Sequence, residues 1–197
     1  MKNYKMYCLD LESSGLSPIK NDVIEVSIFR LEDGVQRTWQ IRPINIENIE
    51  KDALRVNGHR LEDITWKTAY GRETYMPAET AIIDIENWLG EDGIPAESRF
   101  LIGQMITFDK AMLEQLWIKC NSKDSFPFGR RYLDTMIIEL FFDYCKNDFA
   151  EGYSLSKLVK KYGVKNERAH SAAADTKATK EVFMKQVDYF KKLLKHV

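Results

Sequence analysis

No run of about 18 apolar residues occurs in this chain, which is the length a helix needs to cross a bilayer. That excludes a helical membrane span. The opening Met1-Lys2-Asn3-Tyr4-Lys5 has no hydrophobic segment of signal-peptide type, so the chain reads as cytoplasmic. Cysteine is scarce and odd in number. Cys8, Cys120 and Cys145 lack metal-ligand spacing, which argues against a disulfide framework and a structural zinc site. They are expected to be reduced and mostly buried. Net charge is also nearly absent, at −1, so the overall field does not announce a polyanionic partner. No Gly-x-x-x-x-Gly-Lys phosphate loop, Gly-x-Ser-x-Gly elbow or Cys-His pairing is present.

What is there fits one domain over residues 1–197, with 44% hydrophobic and 30% charged residues. Met6 to Leu9 reads as a strand leading into Asp10-Leu11-Glu12-Ser13-Ser14-Gly15-Leu16. Side chains alternate along a strand, so Asp10 and Glu12 point the same way. Adjacent carboxylates repel unless a proton or cation sits between them. The pair suits a divalent metal at the rim of a sheet, and it equally suits two solvated acids at a strand end. Gly15 permits a turn and a close backbone approach.

Val23 to Leu31 and Val35 to Ile41 read as strands joined at the hairpin signal Asp33-Gly34. Ile46 to Val56 reads as a helix stopping at Asn57-Gly58. Residues 59–77 interleave basic and aromatic side chains, either as a nucleotide-contacting surface or as rings packed on the core. Pro77 to Leu89 is predicted as a helix with an inward stripe of Ile82, Ile85 and Leu89. Arg99 to Ile102 reads as a buried strand. Thr107 is expected to cap a helix from Phe108 to about Lys119. A short strand over Arg131 to Asp134, helices over 135–146 and 154–161, and a long helix from Ser171 complete the chain. In that last helix Phe183, Val187, Phe190 and Leu194 recur at helical spacing, and six lysines follow from Lys177 onward. These lysines form either a solvated face or a phosphate contact. The order βββ-α-β-α-β-α-α-α implies an α/β fold, a mixed sheet with helices packed on it.

Two later acids join the first pair. Asp109 and Asp175 each fall in the first turn of a predicted helix, where the helix field favours a charged carboxylate, so both are expected to stay ionised. Each alone is also an ordinary helix-start acid. His170 stands five residues before Asp175, which is about 500° of helix, so the two do not share a helical face. The expected resolution is that His170 lies on the loop before Ser171 and swings over the acids, where a histidine near its working pH is a candidate general base.

Asp10-x-Glu12 with Gly15-Leu16, then Gly103-Gln104-Met105-Ile106-Thr107-Phe108-Asp109, then His170-x4-Asp175 resemble the three motifs of the DEDDh 3′→5′ exonucleases. That family includes the proofreading subunit of bacterial DNA polymerase III, oligoribonuclease and ribonuclease T. Leu133-Asp134-Thr135 matches a further recurrent element, and the resemblance covers nearly the whole chain. It implies a ribonuclease-H-like sheet of three antiparallel strands followed by parallel ones, flanked by helices. It implies two magnesium or manganese ions. Asp10, Glu12 and Asp175 would hold the first, and Asp10 would bridge to the second with Asp109 nearby. By the same carry-over His170 would deprotonate the attacking water. Leu16, with Phe108, would pack on the terminal base, and main-chain amides near Ser13, Ser14 and Gly15 would hold the 3′ hydroxyl region. The implied partner is single-stranded DNA or RNA with a free 3′ end. The second motif departs from the family: Gln104 and Met105 stand where His-Asn often follows the glycine. The short run after the last helix favours a free-standing nuclease, with a polymerase partner not indicated. The rival expectation is a non-catalytic nucleic-acid-binding module on the same fold; none of the five residues is lost.

Overall fold

The structure is a computed structural model that describes residues 4–195. Five strands form one sheet: β1 (Lys5–Ser13), β2 (Val23–Arg30), β3 (Gln36–Gln40), β4 (Arg99–Gly103) and β5 (Tyr132–Asp134), in the spatial order β3-β2-β1-β4-β5. The first three pair antiparallel, and β4 and β5 join parallel to β1, as the sequence leads one to expect. Eight α-helices accompany the sheet: α1 (Lys51–Asn57), α2 (Leu61–Ile64), α3 (Ala69–Thr74), α4 (Ala78–Gly90), α5 (Ile106–Lys119), α6 (Thr135–Lys146), α7 (Leu155–Tyr162) and α8 (Ala172–Leu194).

Strand β1 is central, and its alternation decides the layout. Tyr7, Leu9 and Leu11 point to one face and are buried against α4 and α5 through Ile82, Ile85, Trp88, Met112 and Leu113. Cys8 points to the other face and packs with Ile102 and Phe183 of α8. Asp10 and Glu12 follow Cys8 at period two, so they emerge on the α8 side. A register shift between Glu12 and Ser13 ends the regular ladder there.

Several local expectations change. Helix α5 begins at Ile106, not after Thr107, and its N-cap is Met105 in the left-handed region at φ 53°. The capping oxygens come from another strand: the Asp134 carboxylate accepts N–H bonds from Met105 at 3.2 Å and Ile106 at 3.1 Å, and also from Met136 at 2.9 Å. One buried acid thereby caps both α5 and α6, satisfying amides that helix starts leave unpaired. Residues 46–56 are not one helix. A 3₁₀ turn over Ile46–Asn48 precedes α1, which does stop at Gly58 in the left-handed conformation.

The basic and aromatic stretch folds into α2 and α3, and its rings mostly pack inward. Trp66 and Tyr75 join Ile24, Leu54 and Ile64, and the Trp66 indole donates to the Tyr75 carbonyl at 2.7 Å. Tyr70 stays exposed. The stripe expected on α8 turns inward only at Phe183 and Val187; Phe190 and Leu194 are exposed, and Val182 and Gln186 are the inward neighbours instead. Of the three free thiols only Cys8 is buried; Cys145 is exposed.

Candidate active site

The C-terminal end of β1 delivers Asp10 and Glu12, and the first turn of α8 delivers Asp175. One carboxylate oxygen from each lies within 4.8 Å of the others. Helix α8 lies across the sheet so that Thr176 donates its hydroxyl to the Ser27 carbonyl at 3.2 Å. That contact sets Asp175 against β1. Two further donors orient the Asp175 carboxylate: the backbone N–H of His170 at 3.0 Å and the side-chain amide of Asn166.

Asp109 stands beside this trio and not within it. Its Oδ1 accepts the backbone N–H of Leu11 at 3.1 Å, which ties α5 to β1 and aims the acid toward Asp10. Burial raises the Asp109 carboxyl to about 7, so the helix start alone does not hold it in the ordinary carboxylate range. Desolvation outweighs the partial charge of the helix end. Burial, reinforced by Asp109, Asp175, Glu12 and Glu25, pushes Asp10 well above the ordinary carboxylate range. Burial likewise raises Glu12 to about 8, with Asp175 and Glu25 adding to it. Such a cluster binds protons or cations. Its donors are all carboxylate oxygen, the chemistry that hard divalent cations prefer, so the residues present fit magnesium or manganese.

Glu25 is a site neighbour that the sequence reading did not single out. It lies directly opposite Glu12 in the β1–β2 ladder, is buried, and burial raises its pKa. A lone acid inside the run Val23-Ile24-Glu25-Val26 was the available signal. His59 Nε2 approaches Glu25 at 3.5 Å, but burial and Arg168 push the imidazole down to about 4, so this is not an ion pair near neutrality.

His170 occupies the expected loop, with φ 65°, and its side chain is exposed. It lines a polar cleft of about 590 Å³ together with Glu25, His59, Tyr70 and Arg168. On the other side of Glu12 lies a smaller hollow of about 310 Å³, walled by Leu11, Leu16, Val56 and Phe108. Leu16 is 79% exposed there, a large apolar side chain held out toward solvent.

The turn before it is closely packed. A Cβ on Gly15 would meet the Asn21 side chain at 2.4 Å, so only glycine fits. Ser13 Oγ donates to the Gly15 carbonyl at 2.7 Å, while Ser14 is fully buried. The Ser14 amide is already given to the Asp22 carbonyl at 2.8 Å, so it is not free for a 3′ hydroxyl. Gln104 is also committed, donating to the Tyr153 carbonyl at 2.6 Å and accepting from the Thr135 hydroxyl at 2.6 Å.

Comparison with known proteins gives matches among nucleases and polymerases. The exonuclease family model of RNase T type matches residues 7–183. A DNA polymerase III of PolC type from Thermotoga petrophila is 26% identical over 192 residues, covering 98% of this chain and 12% of the polymerase. The corresponding polymerase of Thermotoga maritima is 26% identical over 94% of the chain and 12% of its own length. Among solved structures, exonuclease I superposes with a TM-score of 0.74 at 16% identity, covering 98% of this chain and 44% of that one. Exonuclease I of E. coli in complex with a dA16 oligonucleotide gives 0.71 at 16% identity, over 94% and 41%. Cell-death related nuclease 4 gives 0.72 at 13% identity, over 95% and 65%. This chain thus spans about an eighth of the polymerases and under half of exonuclease I. With the family model covering most of the chain and the mixed sheet in agreement with it, the chain belongs to the DnaQ-like 3′→5′ exonuclease family.

Proposed function

We propose that this chain is a divalent-metal-dependent 3′→5′ exonuclease that hydrolyses single-stranded DNA or RNA from a free 3′ end and releases nucleoside monophosphates. The observation that carries the reading is the convergence of Asp10, Glu12 and Asp175 within 4.8 Å, with Asp109 alongside. These residues would hold two magnesium or manganese ions. Such ions, when bound, supply the positive charge that offsets an anionic phosphodiester and the charge developing on the attacking and leaving oxygens.

The chain's own residues account for the remaining tasks. Leu16 and Phe108 would receive the terminal base in their apolar hollow, which favours an end over an internal position in the strand. Asn166 and the His170 amide keep the Asp175 carboxylate aimed inward. The His170 imidazole, on a loop tied to Asp175, would take the proton from the attacking water at a ring nitrogen. A single strand in the cleft is supported by the oligonucleotide complex of E. coli exonuclease I.

The test is release of mononucleotides from an end-labelled single strand. It should require magnesium or manganese, stop with chelator, and be lost in Asp10→Ala, which should also lose the metal-induced rise in Tm. A 3′-phosphorylated strand should resist. Products released from the 5′ end, or efficient cutting of a closed circle, would overturn the assignment.

A further inference from the structure

Helix α6 carries apolar residues on both its inward and its solvent side. A surface helix ordinarily turns its apolar stripe to the core. The inward side of α6 carries Ile138 and Phe142 together with Thr135, Glu139 and Asp143, three of the five polar. Glu139 receives Lys161 Nζ at 2.6 Å and Gln186 Nε2 at 3.0 Å, and Asp143 receives Lys161 at 3.2 Å. These acids are thereby used up against α7 and α8. The solvent side carries Ile137, Leu140, Phe141 and Tyr144, exposed by 52, 38, 56 and 72%. Their spacing of three, one and three is that of a contact stripe.

The stripe continues onto α8. Phe142 bridges the two helices, with ring centroids 6.5 Å from Phe141 and 6.3 Å from Phe190. Phe190 and Leu194 are 45 and 60% exposed. With roughly 200 Å² for a large side chain, these six residues present on the order of 600 Å² of apolar surface. That lies at the top of the range for the largest patch on a monomer, about 300–600 Å². It also exceeds the apolar share of a standard interface, about 480 Å² of the about 800 Å² buried per partner.

We propose that this face is an isologous interface with a second copy of the chain, α6 packing on α6 about a two-fold axis. A two-fold axis sets a patch against itself, so it tolerates no charge at its centre. On α6 the stripe meets that condition: between Thr135 and Cys145 the charged residues are Glu139 and Asp143, both turned inward. The interface leaves the cleft open. Phe190 is 15 residues along α8 from Asp175, about 22 Å along its axis.

The experiment is analytical ultracentrifugation of the wild type, Phe141→Glu and Tyr144→Glu from 1 to about 100 μM, with melting curves to check folding. Ile83→Glu, at an exposed apolar position on α4, is the control. The wild type and Ile83→Glu should form dimers. The two α6 variants should be folded and associate about a hundredfold more weakly or not at all, as for a central aromatic anchor. A wild type that sediments as a monomer throughout overturns the proposal. So do α6 variants that remain dimeric, or that lose binding to a single-stranded oligonucleotide with no change in mass, since the face would then be a nucleic-acid surface.

Discussion

Removing one negative charge from the site should stabilise the metal-free protein. Glu12 is raised from 4.5 to about 8 by burial and by Asp175 and Glu25. Above the unfolded value the native state therefore holds a proton that the unfolded chain has released. Stability should then fall as pH rises from about 4.5 toward 8 and level off above it. At about 1.36 kcal/mol per pH unit, the full shift corresponds to roughly 5 kcal/mol at pH 8 and above. Glu12→Gln removes the charge but leaves a buried amide to be hydrogen-bonded, so about 2–4 kcal/mol of stabilisation is the realistic share. For a chain of this length that is on the order of 5–15 °C in Tm. The assay is thermal unfolding in excess chelator at pH 8 and pH 5. The variant should melt higher at pH 8, and the gap should shrink at pH 5, where native Glu12 is already protonated. Adding magnesium should invert the order, because the wild type gains binding energy that the variant cannot match. A variant less stable than wild type in chelator at pH 8, or a gap independent of pH, would refute the reasoning.

Other outcomes follow from single contacts. His170→Ala should lower the exonuclease rate by about 10²–10⁴-fold while keeping the metal-induced Tm rise, with partial recovery at high pH, measured as turnover of a labelled single strand across pH. An unchanged rate in the folded variant would remove His170 from the mechanism. Asp134→Ala strips the caps from α5 and α6 at once and should cost about 2–4 kcal/mol in chemical denaturation; a loss below about 0.5 kcal/mol would mean the caps are replaced by water. Leu16→Ala should raise KM several-fold without changing Tm, since a side chain 79% exposed contributes little to the fold; steady-state kinetics and a melting curve check both.

Much of this protein is written in short-range pattern. The alternation of Met6 to Glu12 placed both acids on one face, and the turn at Asp33-Gly34 set β2 and β3 as a hairpin. The stops at Gly58 and Gly163 are left-handed residues that a glycine supplies at least cost. The three spaced motifs made the family legible, since ligands drawn from several elements must appear in chain order whatever lies between them. What the sequence could not express were contacts between elements distant along the chain. The cap of α5 comes from Asp134, about thirty residues later, so Thr107 looked like the cap when it was not. Glu25 joins the acid cluster only because antiparallel pairing sets it opposite Glu12. Asp109 is raised to about 7 because burial, a property of the whole packed interior, exceeds the field of one helix end. Helix α6 showed the same limit from the other side. Its apolar residues are plain in the sequence, but that Glu139 turns inward to Lys161 and Gln186 while Phe141 stays outside is visible only in the tertiary structure.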